Sequence, residues 1–282
     1  MLRGLGIPGR ILATATLALG LAGYDGHGAV AAQKAAIVVD AKSGKVLYSD
    51  QADSKRYPAS LTKMMTLYLL FSAIGNRRVG TRTAFRMSEH CAALPPSKLG
   101  LKPGQTIPAR DAILALVTKS ANDVACAVGE HLGGSEGAFA QKMTAQAQRL
   151  GMTNTVFRNA SGLPDPAQVT TARDMAILGR ALQRDFPRSF RYFKTRSFRW
   201  NGKTYLNHNK LLGRVDGVDG IKTGYTSASG FNLVCSAERG RSEVIAVVLG
   251  GNTANARDAR MKELLEEYLP PARRGWRLFR RN

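Results

Sequence analysis

The spacing of apolar residues places strands near both ends of the chain. Apolar runs at Ala35–Asp40 and 46–49 flank Lys42-Ser43-Gly44 and predict a hairpin. Three further strand-like runs are predicted in the C-terminal third, at 220–225, 232–237 and 243–249. Arg239-Gly240-Arg241 supplies a turn between the last two.

The middle of the chain has helical periodicity. Helices are predicted at 58–72, 111–132, 135–150, 171–184 and 255–268, and residues 75–110 are predicted to be rich in loops. Ser135 is a candidate N-cap, Gly151 a stop signal, and Thr171 begins a pattern that resembles a capping box. The simplest assembly is an α+β fold, in which strands from both ends form one antiparallel sheet with helices packed on it. A mainly helical subdomain would lie alongside, with a cleft where the two parts meet.

Composition and charge narrow the class of protein. The chain has 282 residues, 44% hydrophobic and 22% charged, which excludes collagen, low-complexity disorder and a polytopic membrane protein. The net charge of +21 indicates an anionic partner.

The N-terminal residues predict export. Arg3 and Arg10 precede an apolar run at 11–22, and Ala29-Val30-Ala31 is a small-x-small cleavage signal, so residues 1–31 are predicted to be a signal peptide. The apolar run is short of the roughly 20 residues that span a bilayer. We expect a location in the periplasm or on the outer face of the cytoplasmic membrane, and therefore no nucleic-acid partner.

Cysteine and histidine give no pattern typical of a metal site. Cys91, Cys126 and Cys235 lack C-x-x-C spacing and are interpreted as small buried apolar residues. The four histidines show no ligand spacing. We expect neither a metal nor another cofactor.

A candidate nucleophile lies at the start of the first long helix. In Ser60-Leu61-Thr62-Lys63 the spacing of three puts Lys63 on the same helix face as Ser60. A buried lysine with a lowered pKa can deprotonate a serine, and the helix start offers N–H donors for an oxyanion. The alternative is an N-capping serine beside a solvated lysine.

Two further motifs follow this S-x-x-K pattern. Ser120-Ala121-Asn122 interrupts a helical stretch with residues that disfavour helix interiors, which indicates a break or a functional use. Lys222-Thr223-Gly224 lies on a predicted strand, where Gly224 lets a ligand approach the backbone.

The three motifs in this order resemble those of serine penicillin-binding proteins and serine β-lactamases. The surrounding residues are similar to one branch, the low-molecular-mass D-alanyl-D-alanine carboxypeptidases of peptidase family S11, over about residues 33–268. The matching stretches are 57–66, Ser120-Ala121-Asn122-Asp123, 159–165, 172–176 and 218–226.

The resemblance implies a β-lactamase/transpeptidase-like fold and a role for each matching position. Ser60 would be the acylated nucleophile, Lys63 its base, Ser120 a proton relay and Asn122 an orienting group. Lys222 would supply positive potential and Thr223 would bind the substrate carboxylate, with Gly224 beside it, and the oxyanion would lie between the N–H groups of Ser60 and Tyr225. Arg257 matches an arginine near the carboxylate subsite, although a solvated helix-face arginine is an equal alternative.

The implied activity is removal of the terminal D-alanine from peptidoglycan stem peptides, with β-lactams as covalent inhibitors. Ala121 and Tyr225 depart from the common Gly and His of the family without removing a reacting group. A β-lactamase is disfavoured because residues 161–166 contain no glutamate. A D,D-endopeptidase and a catalytically inactive wall-binding module are the remaining alternatives.

The predicted organisation is a signal peptide at 1–31, a catalytic domain at 32–269 and a basic, aromatic tail at 270–282. Fourteen residues follow Tyr268, so no second β-rich domain is expected. In the tail, five arginines surround Trp276, Leu278 and Phe279. Residues 272–282 are interpreted either as a solvated segment or as an anchor to an anionic membrane surface.

Overall fold

A computed structural model describes residues 1–2 and 34–272, so most of the predicted signal peptide and most of the tail lie outside the described residues. The chain divides into two compact units, Met1–Val30 and Ala31–Asn282, and every described helix and strand belongs to the second. The strands are β1 (Ala35–Asp40), β2 (Val46–Asp50), β3 (Ala84–Arg86), β4 (Thr106–Pro108), β5 (Ser197–Trp200), β6 (Lys203–Leu206), β7 (Val218–Thr226), β8 (Gly230–Arg239) and β9 (Ser242–Gly251). The helices are α1 (Lys63–Gly75), α2 (Glu89–Ala93), α3 (Ala109–Val117), α4 (Asn122–Gly133), α5 (Glu136–Leu150), α6 (Ala172–Asp185), α7 (Pro187–Phe190) and α8 (Ala254–Tyr268), and short 3₁₀ helices cover Ala59–Thr62 and Arg191–Lys194.

The main sheet joins the two ends of the unit, as the sequence predicts. Its five antiparallel strands have the order β2-β1-β9-β8-β7, and Ala35 of β1 is opposite Leu249 of β9. Two small two-stranded sheets, β3–β4 and β5–β6, were not predicted. They have three and four residues per strand, too few for a periodic signal.

Both faces of the sheet are buried at its inner strands β1, β8 and β9. Val38, Leu233 and Ala246 face α8, where they pack with Met261 and Leu265. On the opposite face, the alternating residues of the same strands pack against α6 and the helical subdomain in a larger core. This two-sided burial explains the nearly continuous apolar runs of β8 and β9.

The helix ends agree with their predicted caps. The side chain of Ser135 accepts from Ala138 N at 3.1 Å, and Gly151 adopts the left-handed conformation with φ +88°. Thr171 accepts from Asp174 N at 3.1 Å. In contrast, the single helix predicted at 111–132 is wrong, because residues 118–121 separate α3 from α4.

The cysteine interpretation is wrong for two of the three residues. Cys91 on α2 and Cys126 on α4 form a disulfide with a Cα–Cα separation of 5.4 Å, whereas Cys235 is free and buried. The partners are 35 residues apart in the chain, and only the packing of α2 on α4 brings them together. None of the helices within residues 34–272 is long and apolar enough to cross a membrane.

Candidate active site

Ser60 and Lys63 lie where the 3₁₀ helix passes into α1. Lys63 Nζ donates to Ser60 Oγ at 3.0 Å, so the spacing of three places both groups together as predicted. Lys63 is fully buried, so the alternative of an N-capping serine beside a solvated lysine is wrong. Ser60 is half-buried and lines a cleft. A nucleophile and a base within hydrogen-bond reach form the geometry needed for covalent catalysis.

The amine of Lys63 has two other acceptors. It donates to Asn122 Oδ1 at 2.8 Å and to the backbone oxygen of Ser161 at 2.6 Å. Carbonyl oxygens only accept hydrogen bonds. When the amine is neutral, its two N–H groups can therefore satisfy these oxygens, leaving the lone pair directed at Ser60 Oγ.

The surroundings of Lys63 favour that neutral form. Burial and, secondarily, the positive charge of Lys222 lower the pKa of Lys63 well below its usual value. The negative charges of Asp123 and Glu136 raise the pKa of Lys63 without reversing the shift.

The break between α3 and α4 brings Ser120 and Asn122 to the same place. Ser120 has φ +59°, a left-handed conformation that interrupts the helix, and its side chain is only 4% exposed. Its Oγ has no hydrogen-bond partner among the described residues, although it faces the cleft. A buried hydroxyl without a partner is costly unless a ligand completes its hydrogen bonds.

Asn122 is held in place by the loop at 95–100. Its Nδ2 donates to Pro95 O at 3.0 Å, while its backbone N donates to Ser97 O at 2.6 Å. The carboxylate of Asp123 accepts from Leu99 N at 3.1 Å and Gly100 N at 2.8 Å. These bonds orient the amide so that its oxygen faces Lys63.

The loop at 159–162 supplies the second carbonyl acceptor, which the sequence analysis missed. Asn159 Oδ1 accepts from Gly162 N at 2.7 Å and from Ser161 N at 3.2 Å, closing a tight turn. Gly162 has φ +85°, and a Cβ on it would overlap the carbonyl oxygen of Ala59. An Asn-x-x-Gly spacing is compatible with such a turn, but no turn was predicted here, and a backbone acceptor leaves no side-chain signal in a sequence.

Strand β7 forms another wall of the site. Lys222 is buried, and its Nζ donates to Thr223 O at 3.0 Å. Burial, together with the charge of Arg257, lowers the pKa of Lys222 to about 7. Gly224 lies so close to the nucleophile that a Cβ on it would be 3.1 Å from Ser60 N. Tyr225 is 54% exposed and stacks on Phe231 with ring centroids 4.2 Å apart.

Arg257 on α8 reaches the same cleft. It is 4% exposed, so the solvated alternative is wrong, and its Nη2 donates to Asp258 Oδ1 at 2.7 Å. Its Nη1 lies 3.4 Å from Asn232 O. Asn232 was not predicted, yet its Nδ2 donates to Tyr57 O at 3.1 Å and its Oδ1 accepts from Gly250 N at 2.9 Å. It thereby ties the segment before Ser60 to the sheet.

The cleft has a volume of about 1180 Å³. It is lined by seven of the predicted site residues, namely Ser60, Ser120, Asn122, Thr223, Gly224, Tyr225 and Arg257, while Lys63 and Lys222 lie behind this lining. Two groups of described residues bring three possible metal ligands together, but both include Cys126, whose sulfur belongs to the disulfide.

Known proteins are similar to this chain in sequence and in fold. D-alanyl-D-alanine carboxypeptidase DacA of Escherichia coli is 39% identical over 244 residues, covering 81% of this chain and 59% of the relative. The crystal structure of DacD from Francisella tularensis matches with a TM-score of 0.81 at 30% identity, over 82% of this chain and 69% of that one.

Penicillin-binding protein D2 from Listeria monocytogenes, solved in its ampicillin-bound form, matches with a TM-score of 0.76 at 32% identity. The match covers 83% of this chain and 96% of that one. This chain spans about three-fifths of the length of the curated relatives. Because residues 25–253 match the family description as well, the chain belongs to the D-alanyl-D-alanine carboxypeptidases of peptidase family S11.

Proposed function

We propose that this protein is a serine D,D-carboxypeptidase that removes the terminal D-alanine from peptidoglycan stem peptides and is acylated by β-lactams. The observation that carries the proposal is the position of Lys63 Nζ, 3.0 Å from Ser60 Oγ and held by two carbonyl oxygens. The ampicillin-bound Listeria relative supports acylation by β-lactams.

Acylation begins when neutral Lys63 accepts the proton of Ser60. The Oγ attacks the carbonyl carbon of the penultimate D-alanine, and the oxyanion is stabilised by the backbone N–H groups of Ser60 and Tyr225. The C–N bond then breaks as a proton passes from Lys63 to the leaving amine through Ser120, whose hydroxyl has no hydrogen-bond partner among the described residues. An ester on Ser60 and released D-alanine result.

Hydrolysis completes the cycle. Water adds to the ester carbonyl, the Ser60–acyl bond breaks, and Ser60 regains its proton. Thr223 and Arg257 hold the substrate carboxylate, and Lys222 contributes positive potential whenever it is protonated. The segment at 161–166, which lines the cleft in part, contains no glutamate, and this favours a peptidase over a class A β-lactamase.

The test follows D-alanine release from a pentapeptide ending in D-alanyl-D-alanine and from a cross-linked dimer, alongside covalent labelling by a fluorescent penicillin. We expect release from the pentapeptide, labelling, and loss of both in Ser60→Ala. Ser72→Ala changes a half-buried serine on the adjoining helix α1; it is the matched control and should retain both. Cleavage of the dimer alone would establish the endopeptidase alternative, and labelling of Ser60→Ala would overturn the nucleophile.

We also propose that the protein is exported. The predicted signal peptide supports this, and so does the Cys91–Cys126 disulfide, because such bonds persist in oxidising compartments. Mass spectrometry of the exported fraction should find a mature N-terminus at residue 32, whereas a cytoplasmic protein beginning at Met1 would contradict it.

Membrane association through residues 272–282 belongs to the same proposal, supported by the five arginines and three apolar side chains of that segment. The protein should co-sediment with anionic vesicles, and salt or deletion of 272–282 should reduce this binding. Equal sedimentation of the full and shortened chains would show that the tail is a solvated segment and not an anchor.

A further inference from the structure

The active-site cleft contains basic side chains that the proposed reaction does not use. Arg196, Lys210 and Arg214 are exposed and line the cleft together with Arg257. Within the described part of the chain, no Asp or Glu lines this cleft. None of the three exposed side chains takes part in an ion pair among the described residues. We call these three residues the basic wall.

The basic wall rests on a well-anchored segment at 207–215. Buried Asn209 donates through Nδ2 to Gly220 O at 2.9 Å and accepts at Oδ1 from Leu211 N at 3.1 Å. Leu211 and Val215 are part of the core on the α8 side of the sheet. Lys210 and Arg214 are therefore presented from a backbone that is fixed at several points.

Arg196 is tied to the same segment. Its backbone oxygen accepts from Asn207 N at 2.8 Å, and Asn207 Nδ2 donates to Thr195 O at 2.9 Å. The guanidinium lies against Gly213, which has φ +71° and where any Cβ would overlap it. This contact brings Arg196 next to the backbone that carries Arg214.

The basic wall is not needed to bind the C-terminal carboxylate of the substrate. Thr223 and Arg257 lie on β7 and α8, and they can bind that carboxylate. The three cations of the wall lie at the start of β5 and in the segment that precedes β7. Cations that line a cleft without anionic partners attract and bind anionic ligands.

We propose that Arg196, Lys210 and Arg214 form a subsite for a second carboxylate of the substrate, so that the enzyme prefers acidic peptides over neutral ones. The subsite rests on the proposed carboxypeptidase function and adds a substrate class to it. The guanidinium groups can bind a carboxylate with two parallel hydrogen bonds, and Lys210 adds a point charge.

The experiment compares peptides of the form acetyl-X-D-alanyl-D-alanine. One pair has X as L-glutamate or L-glutamine, and a longer pair has X as L-2-aminoadipate or its side-chain amide. We expect kcat/KM to be about tenfold higher for the acid in at least one pair, the ratio given by about 1.4 kcal/mol. The ratio should fall toward one in about 1 M salt, where the Debye length is about 3 Å.

Variants test whether the basic wall causes the preference for the acid over the amide. In Arg196→Gln/Lys210→Gln/Arg214→Gln, the ratio of acid to amide should fall to about one. Lys210→Gln/Arg214→Gln, which keeps the Arg196–Gly213 contact, should lower the ratio without the risk of disturbing that packing. The matched control Arg78→Gln/Arg82→Gln/Arg110→Gln removes three exposed charges outside the cleft lining and should keep the native ratio.

The outcomes separate this subsite from the reaction itself. Equal kcat/KM values for acid and amide in both pairs overturn the subsite, while release of D-alanine from all peptides leaves the proposed reaction standing. A preference that survives in both wall variants also overturns it. An absence of both peptide turnover and penicillin labelling would instead reject the proposed function.

Discussion

At the scale of single residues, the protonation state of Lys63 controls when Ser60 can react. Since the base is the neutral amine, acylation should increase with pH through the lowered pKa of Lys63. The nearby charge of Lys222 contributes to that lowering, so its removal should raise the pKa of Lys63.

We therefore expect the acid limb of the acylation rate to move to higher pH in Lys222→Met, in addition to a lower maximal rate. The measurement is the second-order rate constant for acylation by a β-lactam as a function of pH. The exposed Lys203→Met is a control of equal charge change outside the cleft lining. An acid limb at the same pH in Lys222→Met and the native protein would reject electrostatic coupling between the two lysines.

A second residue-scale prediction concerns Gly162. An alanine here would overlap the Ala59 oxygen and would have to adopt φ +85°, so we expect a loss of about 1–3 kcal/mol in unfolding free energy and slower acylation. Urea unfolding and penicillin labelling measure the two effects.

Gly137→Ala is the matched control for Gly162→Ala. Gly137 lies inside α5, has open space around its Cα and should gain up to about 1 kcal/mol on substitution. Comparable stability in the two variants would show that the contact between 159–162 and Ala59 does not constrain the nucleophile.

At the scale of elements, the disulfide connects two helices of the helical subdomain and closes a 35-residue separation in sequence. Cys91→Ala/Cys126→Ala should lower the unfolding free energy by about 3 kcal/mol, because the cross-link restricts the unfolded chain. Urea unfolding measures the loss, and reduction of the native protein should reproduce it.

Cys235→Ala is the control for the disulfide variant, since Cys235 is buried and forms no disulfide in the described structure. It should cost less, as it removes one sulfur atom from a packed site. An unchanged stability of the double variant would mean that α2 and α4 hold each other without the cross-link.

Elements with strong local signals were predicted well, and those that depend on distant contacts were not. Ser135, Gly151 and Thr171 mark helix ends through their own backbone geometry, so their sequence pattern was sufficient. The break at Ser120 was suspected from its composition but placed inside one helix, because nothing local indicates the bonds from the loop at 95–100. The disulfide likewise depends on tertiary packing.

The residues of the site also fall into those that the sequence identifies and those that depend on distant contacts. Ser60, Lys63 and the other motif residues were identified because chemistry requires particular side chains in a particular order. The backbone oxygen of Ser161 accepts from the amine of Lys63, and the amide of Asn232 donates to the backbone oxygen of Tyr57, so both act through partners far away in sequence. Their contributions could only be recognised once the folded chain brought those groups together.

At the scale of the whole molecule, the buried lysines link stability to pH. Lys222 has a pKa of about 7 in the folded protein, against about 10.5 when exposed, so the unfolded chain binds more protons between these values. Stability should therefore increase from about pH 7 to pH 9, by up to about 1.4 kcal/mol per pH unit for each proton difference. Above that range the buried Cys235 thiol opposes the gain, because its pKa is raised in the folded protein and the unfolded chain loses the thiol proton first.

Urea unfolding at several pH values measures this trend. Lys222→Met removes one of the two buried amines and should flatten the increase, whereas Lys203→Met should keep it. A stability that falls steadily from pH 7 to pH 9 in the native protein would contradict the burial of neutral lysines.

The pairing of β1 with β9 also has a consequence for the order of synthesis. Strand β1 lies between β2 and β9 in the sheet, and Ala35 is opposite Leu249. Ala35 can therefore pair with β9 only after Leu249 has left the ribosome. Until then the first strand presents an unpaired edge, and closure of so long a loop makes folding slow. The main sheet therefore stays incomplete for most of translation, and an incompletely folded chain is the form that the proposed export through a translocation channel would need.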